Sequence, residues 1–146
     1  LEDAAPAMVR TANTVYLAFD AFTQYAKMGQ NALREIILHG LRALLDRPTL
    51  VTSLPAQGVQ TVMRQAERDR TIVHLVYGVP VKRGQGIEVV EDLTPVHDVA
   101  LALRVRTAPT RVYLAPQNTD LPYAVEDGVL TAIVPAVRCH QMVVVE

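Results

Sequence analysis

Groups able to do covalent chemistry are scarce in this chain: one serine, Ser53, one cysteine, Cys139, and four histidines, His39, His74, His97 and His140. Ser53 sits in Thr-Ser-Leu-Pro, without the glycines of a G-x-S-x-G turn that would hold a nucleophile on a strained elbow. It reads as a turn or linker residue. Cys139 precedes His140. Neighbours on a strand point to opposite faces, so a small buried or half-buried thiol is expected rather than a thiolate–imidazole pair. The histidines show neither H-x-x-x-H nor H-E-x-x-H spacing, the arrangements that bring two imidazoles to one helix face. His39 stands just before Gly40 on a helix, a place for a partner-facing or C-terminal cation. His74, with Ile72 and Val76 on its face, is expected as a hydrogen-bonded core histidine. His74, His97 and His140 converge only if their strands are neighbours, so no metal and no cofactor is expected.

Glu88, Glu91 and Asp92 cluster on one strand and its exit, and Glu126-Asp127 occupy a turn. Glycoside hydrolysis needs two carboxyl groups across a cleft, about 5–5.5 Å or 6.5–9.5 Å apart. An odd spacing puts Glu88 and Glu91 on opposite sides of a regular strand. They are expected as solvated edge charges that discourage pairing with other chains. Arg83-Gly84-Gln85-Gly86 has glycines and charge, but no helix follows to present amide groups to a phosphate. It is expected as a hairpin turn. An independent small enzyme would have to use His97 and Asp98. Glycan binding draws on flat aromatic faces, and the chain has no Trp, two Phe and five Tyr. Tyr16, Phe19, Phe22 and Tyr25 precede Pro48, leaving Tyr77, Tyr113 and Tyr123. Tyr113 and Tyr123 are the residues expected to face such a ligand, although their spacing also fits core packing or strand pairing. No catalytic residue is expected.

The elements that would position these groups follow from composition and period. Over 146 residues, half are hydrophobic and the formal net charge is −1. A near-neutral chain offers no general positive field for a nucleic acid. No apolar run approaches the ~20 residues of a membrane helix. One cysteine builds neither a disulfide framework nor a thiolate metal site. The chain opens Leu1-Glu2-Asp3 without Met or a basic-then-apolar leader, so it is expected to be a processed product or a piece of a longer protein.

The hydrophobic period changes once, near Pro48. Before it, residues 14–19 read as a short buried strand of a parallel sheet. Residues 20–28 form a short helix ended by Gly29, and Asn31 caps a longer one. That helix carries Leu33, Ile36, Ile37, Leu41, Leu44 and Leu45 at spacings of three and four, an amphipathic stripe. Asp46-Arg47-Pro48 ends it, because the residue before proline avoids helical angles. From Leu50 onward the period is two. Val99, Leu101, Leu103 and Val105 alternate with Ala100, Ala102, Arg104 and Arg106. Further strands are expected at 59–65, 71–77, 86–90, 111–115, 121–125, 129–134 and 141–145. Asp127-Gly128 between apolar runs signals a hairpin. The fold class is therefore mainly β: an antiparallel β-sandwich of about seven to eight strands over 49–146. It follows a β-α tail over 1–48 that reads as the end of an incomplete α/β domain.

Two stretches resemble a known family. Residues 13–20, 25–29 and 32–38 resemble the closing strand and helix of the flavodoxin-like, glutamine-amidotransferase-like trimerisation domain of bacterial β-galactosidase-type glycoside hydrolases. Thr61-Val-Met-Arg-Gln65, Ile72-Val-His-Leu75, Pro95-Val-His-Asp-Val99, Val112-Tyr-Leu-Ala-Pro116, Leu121-Pro-Tyr-Ala-Val-Glu-Asp-Gly128 and His140-Gln-Met-Val-Val-Val-Glu146 are similar, in that order, to the C-terminal β-domain of such proteins. The resemblance implies an accessory, non-catalytic role. The acid/base and nucleophile carboxylates of that family sit on an N-terminal TIM barrel, so its partner would be that barrel in the same parent chain. Independently of the resemblance, the apolar stripe from Leu33 to Leu45 needs cover, so the helix is expected either to fold back on the sandwich or to be shared between chains in a homo-oligomer. A carbohydrate-binding module is the alternative function.

Overall fold

The computed structural model describes residues 6–45 and 47–146. Leu1-Glu2-Asp3 and the Asp46 part of the expected helix stop lie outside the described residues. The chain divides into two compact units, Leu1–Pro48 and Thr49–Glu146.

The first unit begins with strands β1 (Met8–Arg10) and β2 (Val15–Leu17), paired antiparallel with Val9 opposite Tyr16. The expected buried parallel strand is thus a half-exposed hairpin arm. Its turn is closed by the Thr11 amide donating to the Thr14 carbonyl at 2.8 Å. Met8-Val-Arg, too short to show a period, supplies the partner strand. Helix α1 (Ala21–Met28) is capped by Asp20, whose Oδ1 accepts from the Thr23 amide. It ends at Gly29, whose φ of 62° lets its amide reach the Tyr25 carbonyl. Helix α2 (Asn31–Leu44) takes Gln30 as its N-cap, so Asn31 is the first helical residue rather than the cap. Gly40 faces β2 so closely that a Cβ there would lie 3.2 Å from Val15 Cγ1. Leu33 is buried, whereas Leu41, Leu44 and Leu45 at the other end of the stripe are exposed.

The second unit is the expected β-sandwich. Its strands are β3 (Leu50–Thr52), β4 (Val59–Gln65), β5 (Arg70–Val76), β6 (Val81–Lys82), β7 (Glu88–Val89), β8 (Val96–Arg104), β9 (Val112–Ala115), β10 (Thr119–Asp120), β11 (Tyr123–Glu126), β12 (Val129–Val137) and β13 (His140–Val145). A five-stranded sheet runs β10-β9-β13-β5-β4 and a four-stranded sheet runs β11-β12-β8-β3, with every pairing antiparallel. Strands β6 and β7 form a separate two-stranded ribbon. Nine strands rather than seven or eight make the sandwich, because β3 and β10 are too short to show alternation.

Alternation decides which side chains meet between the sheets. Val73, Leu75, Val143, Val145 and Val112 come from one sheet, and Val99, Leu101, Leu103, Leu130 and Val134 from the other, in one buried cluster. The hairpin between β11 and β12 turns on Asp127 (φ 49°) and Gly128 (φ 73°), the pair of positive angles that matches strand twist. Asp98 is also left-handed, at φ 53°, inside β8. It lies between the pairs Val99–Val134 and His97–Ala136, facing Pro135, which has no amide to donate. The alternation slips by one there. Val96 and Val137 therefore turn to the core, and His97 is left exposed.

Candidate functional site

The candidate nucleophiles take structural roles. Ser53 Oγ accepts from the Ala100 amide at 2.9 Å while the Ser53 amide donates to the Ala100 carbonyl at 3.0 Å. This extends the edge pairing of β3 with β8 by one residue. Cys139 is exposed at φ 60° on the turn from β12 to β13, not half-buried in a strand. The turn needs a positive φ there, and the Cys139 carbonyl accepts from the Tyr77 amide at 2.8 Å.

Of the candidate carboxylates, Glu91 is held by an arginine, as are Asp120 and Glu146. Arg83 grips Glu91 with two bonds, Nε to Oε1 at 2.8 Å and Nη2 to Oε2 at 2.5 Å. This fork lowers the Glu91 carboxyl below its ordinary value and raises the guanidinium. It straddles the Arg83–Gly86 turn, where Gly84 and Gly86 have positive φ; the turn is the hairpin tip that the sequence suggests. Arg111 Nε donates to Asp120 Oδ1 at 2.6 Å. Glu146 Oε1 accepts from the Tyr113 hydroxyl at 3.0 Å and lies 3.4 Å from Arg70 Nη1.

Tyr113 and Tyr123 occupy different surroundings. Tyr113 is 8% exposed on the outward side of the five-stranded sheet. Its hydroxyl also accepts from Arg70 Nη1 at 3.2 Å, and the Arg111 guanidinium lies over its ring, 4.4 Å from the centroid. Tyr123, at 38% exposed, closes the edge of the sandwich and donates its hydroxyl to the Pro109 carbonyl at 3.0 Å. It borders an apolar groove of about 890 Å³. The groove runs over Val51, Ala100, Ala102, Thr131 and Ile133 of the four-stranded sheet, and reaches Leu114 and Leu121 at the edge. It exists because Ala100 and Ala102 are small, so the larger Val51 and Ile133 stand above them as walls. A smaller pocket of about 260 Å³ in the first unit lies among Tyr16, Phe22, Ile37, Leu41 and Leu44.

Sheet order settles which histidines meet. Strands β5 and β13 are neighbours, so His74 Nδ1 lies 3.0 Å from His140 Nε2. His74 is thus not the expected core histidine. Val73 and Leu75 take the inward positions of β5, and His74 points outward with Ile72 and Val76. His97 belongs to the other sheet and joins neither. Among the described residues no group of three or more His, Cys, Asp or Glu side chains could hold a metal ion. Nor is any helix among them long and apolar enough to cross a membrane.

No family model and no curated protein matches the chain. Among solved structures it is similar to alpha-L-fucosidase isoenzyme 2 from Paenibacillus thiaminolyticus, with 45% identity over 97% of this chain and a TM-score of 0.92. The chain has the fold of that segment. It spans 22% of the fucosidase chain's length. A cycloisomaltooligosaccharide glucanotransferase from Paenibacillus sp., in complex with cycloisomaltoheptaose, is 16% identical over 79% of this chain and 21% of that chain. Its TM-score of 0.47 is too low to bear on function.

Proposed function

We propose that this chain is a non-catalytic accessory portion of a larger bacterial glycoside hydrolase, bracing or helping to assemble its catalytic barrel. The observation that carries this reading is the 45% identity to a segment that makes up 22% of an alpha-L-fucosidase. The local chemistry supports it: Ser53 is occupied by a backbone amide, and Glu91, Asp120 and Glu146 are engaged by arginines. The sequence resemblance points to a β-galactosidase-type parent and the structural similarity to an alpha-L-fucosidase. We take the glycoside-hydrolase class from both and an α-L-fucoside as the parent's substrate.

Incubated with 4-nitrophenyl α-L-fucoside and β-D-galactoside, the chain alone should release no nitrophenol above buffer. Hydrolysis that stays with the chain through purification and disappears in Glu91→Gln or Glu88→Gln overturns the reading. The catalytic barrel is the proposed partner, and the Leu33–Leu45 stripe supports a second contact. Leu41 is 45% and Leu45 65% exposed at its open end, and large uncovered apolar patches are rare on monomers. Sedimentation velocity that gives a monomer at every concentration removes the homo-oligomer from that account.

A second reading, a carbohydrate-binding module, rests on Tyr123 at the edge of the groove. Calorimetric titration with fuco- and galacto-oligosaccharides should then show binding that Tyr123→Ala abolishes. Flat titrations leave the accessory role alone.

A further inference from the structure

We propose that His74, His140 and Met142 form a surface site for a soft monovalent cation, copper(I) or silver(I). The juxtaposition follows from register. Met142 lies directly opposite His74 across the β13–β5 ladder. His140 stands two positions before Met142, on the same outward side of β13, because Gln141 and Val143 take the buried positions. Two imidazoles and a thioether are thus gathered on one open sheet face.

The ring geometry indicates the coordination. The two imidazole planes are 5° apart and their centroids 5.2 Å apart, while the facing nitrogens are 3.0 Å apart. The two distances differ by the span of two ring radii. The nitrogens therefore lie on the line between the centroids, and the rings meet end to end through an N–H···N bond. Replacing that hydrogen by a metal with imidazole bonds of about 2.0 Å would put the nitrogens about 4 Å apart in a linear arrangement. The rings need to separate by about 1 Å for this. His140 is exposed and His74 half-buried, so the outer ring has room to move.

Ligand chemistry selects the ion. Thioether sulfur favours copper(I), whereas carboxylate and water suit hard cations. The cross-strand neighbours of the three residues are uncharged: Thr61 beside His74, Ala115 beside Met142 and Val76 beside His140. On binding, the bridging proton moves to the other nitrogen of its own ring. Both imidazoles stay neutral, the ion stays monovalent and no electron is transferred.

The test uses the whole chain with Cys139→Ser, since an exposed thiol would compete for the same ions. Anaerobic titration with copper(I) against a chromophoric chelator should show one ion per chain. His74→Gln and His140→Gln should each weaken binding at least ~10-fold, and Met142→Leu by less. Thermal unfolding of the apo variants checks that they fold. In the protein with both histidines, silver(I) should shift the His74 and His140 side-chain ¹⁵N signals together. Binding that is lost with Cys139→Ser, affinity unchanged in the double histidine variant, or ring signals unmoved by silver(I) would each overturn the site.

Discussion

On the five-stranded sheet several outward polar side chains are tied to one another, while Val59, Met63 and Val76 on the same side are exposed. Arg70 bonds Gln65 and Tyr113, Tyr113 bonds Glu146, Arg111 covers the Tyr113 ring, and His74 meets His140. Even the outward Val144 is only 2% exposed, between its cross-strand partners Ile72 and Tyr113. On the four-stranded sheet the corresponding positions are Val51, Ala100, Ala102, Thr131 and Ile133, which leave an open apolar groove. Inward, the two sheets contribute the same kinds of residue to one cluster. The core therefore does not distinguish the sheets. Their outward residues do, one face carrying a network of bonded polar groups and the other an apolar groove.

The shared core can be broken first. Leu130 is fully buried within the cluster, so Leu130→Ala should cost about 2–5 kcal/mol by urea unfolding. Both sheets should still melt in one transition. Two transitions would mean that each sheet has its own core.

A smaller effect sharpens the contrast between the outward faces. Val144→Ala on the five-stranded sheet should destabilise by about 1–3 kcal/mol, and Ile133→Ala on the other by no more than ~0.5 kcal/mol. Their exposures of 2% and 53% are the reason. Equal losses would show that the groove is structural lining rather than free surface.

The smallest effect lies outside both sheets, at the Arg83–Glu91 fork. The arginine lowers the Glu91 pKa from its ordinary value of 4.5. The stabilisation is therefore fully present above pH 4.5 and lost as pH falls through the lower folded value. Limited proteolysis of the β6–β7 ribbon should accelerate in that acid range. In Glu91→Gln the rate should be raised already at neutral pH and respond less to acid.

Much of this architecture was legible because period-two alternation is strong where one strand face is buried. The expected alternation of Val99, Leu101 and Leu103 with Ala100, Ala102 and Arg104 is the burial pattern of β8, and the Asp127-Gly128 turn lies where glycine and acid mark it. Three kinds of feature were not legible. Strands of two or three residues carry no period, which hid β1, β3 and β10. The slip at Asp98 reverses which side chains face inward, and nothing in Val-His-Asp-Val announces a positive φ. The inward side of β5 was misjudged because Ile72, Val73, Leu75 and Val76 are all apolar; the burial of Val73 and Leu75 turns His74 outward. The His74–His140 contact depends on sheet order, which brings together residues 66 positions apart. One signal was available, since His-x-Met on a strand places both side chains on one face.

Strand β13, the last of the strands, lies in the middle of the five-stranded sheet, with β9 on one side and β5 on the other. Chain order and spatial order are therefore opposed. As the polypeptide leaves the ribosome, β4-β5 and β9-β10 can each form, but they have no common neighbour until residues 140–145 emerge. The backbone of Glu146 then closes the seam, its amide donating to the Arg111 carbonyl at 2.9 Å and its carbonyl accepting from the Arg111 amide at 3.1 Å. Completion of this sheet thus waits on β13, because without residues 140–145 the pairs β4-β5 and β9-β10 have no strand between them.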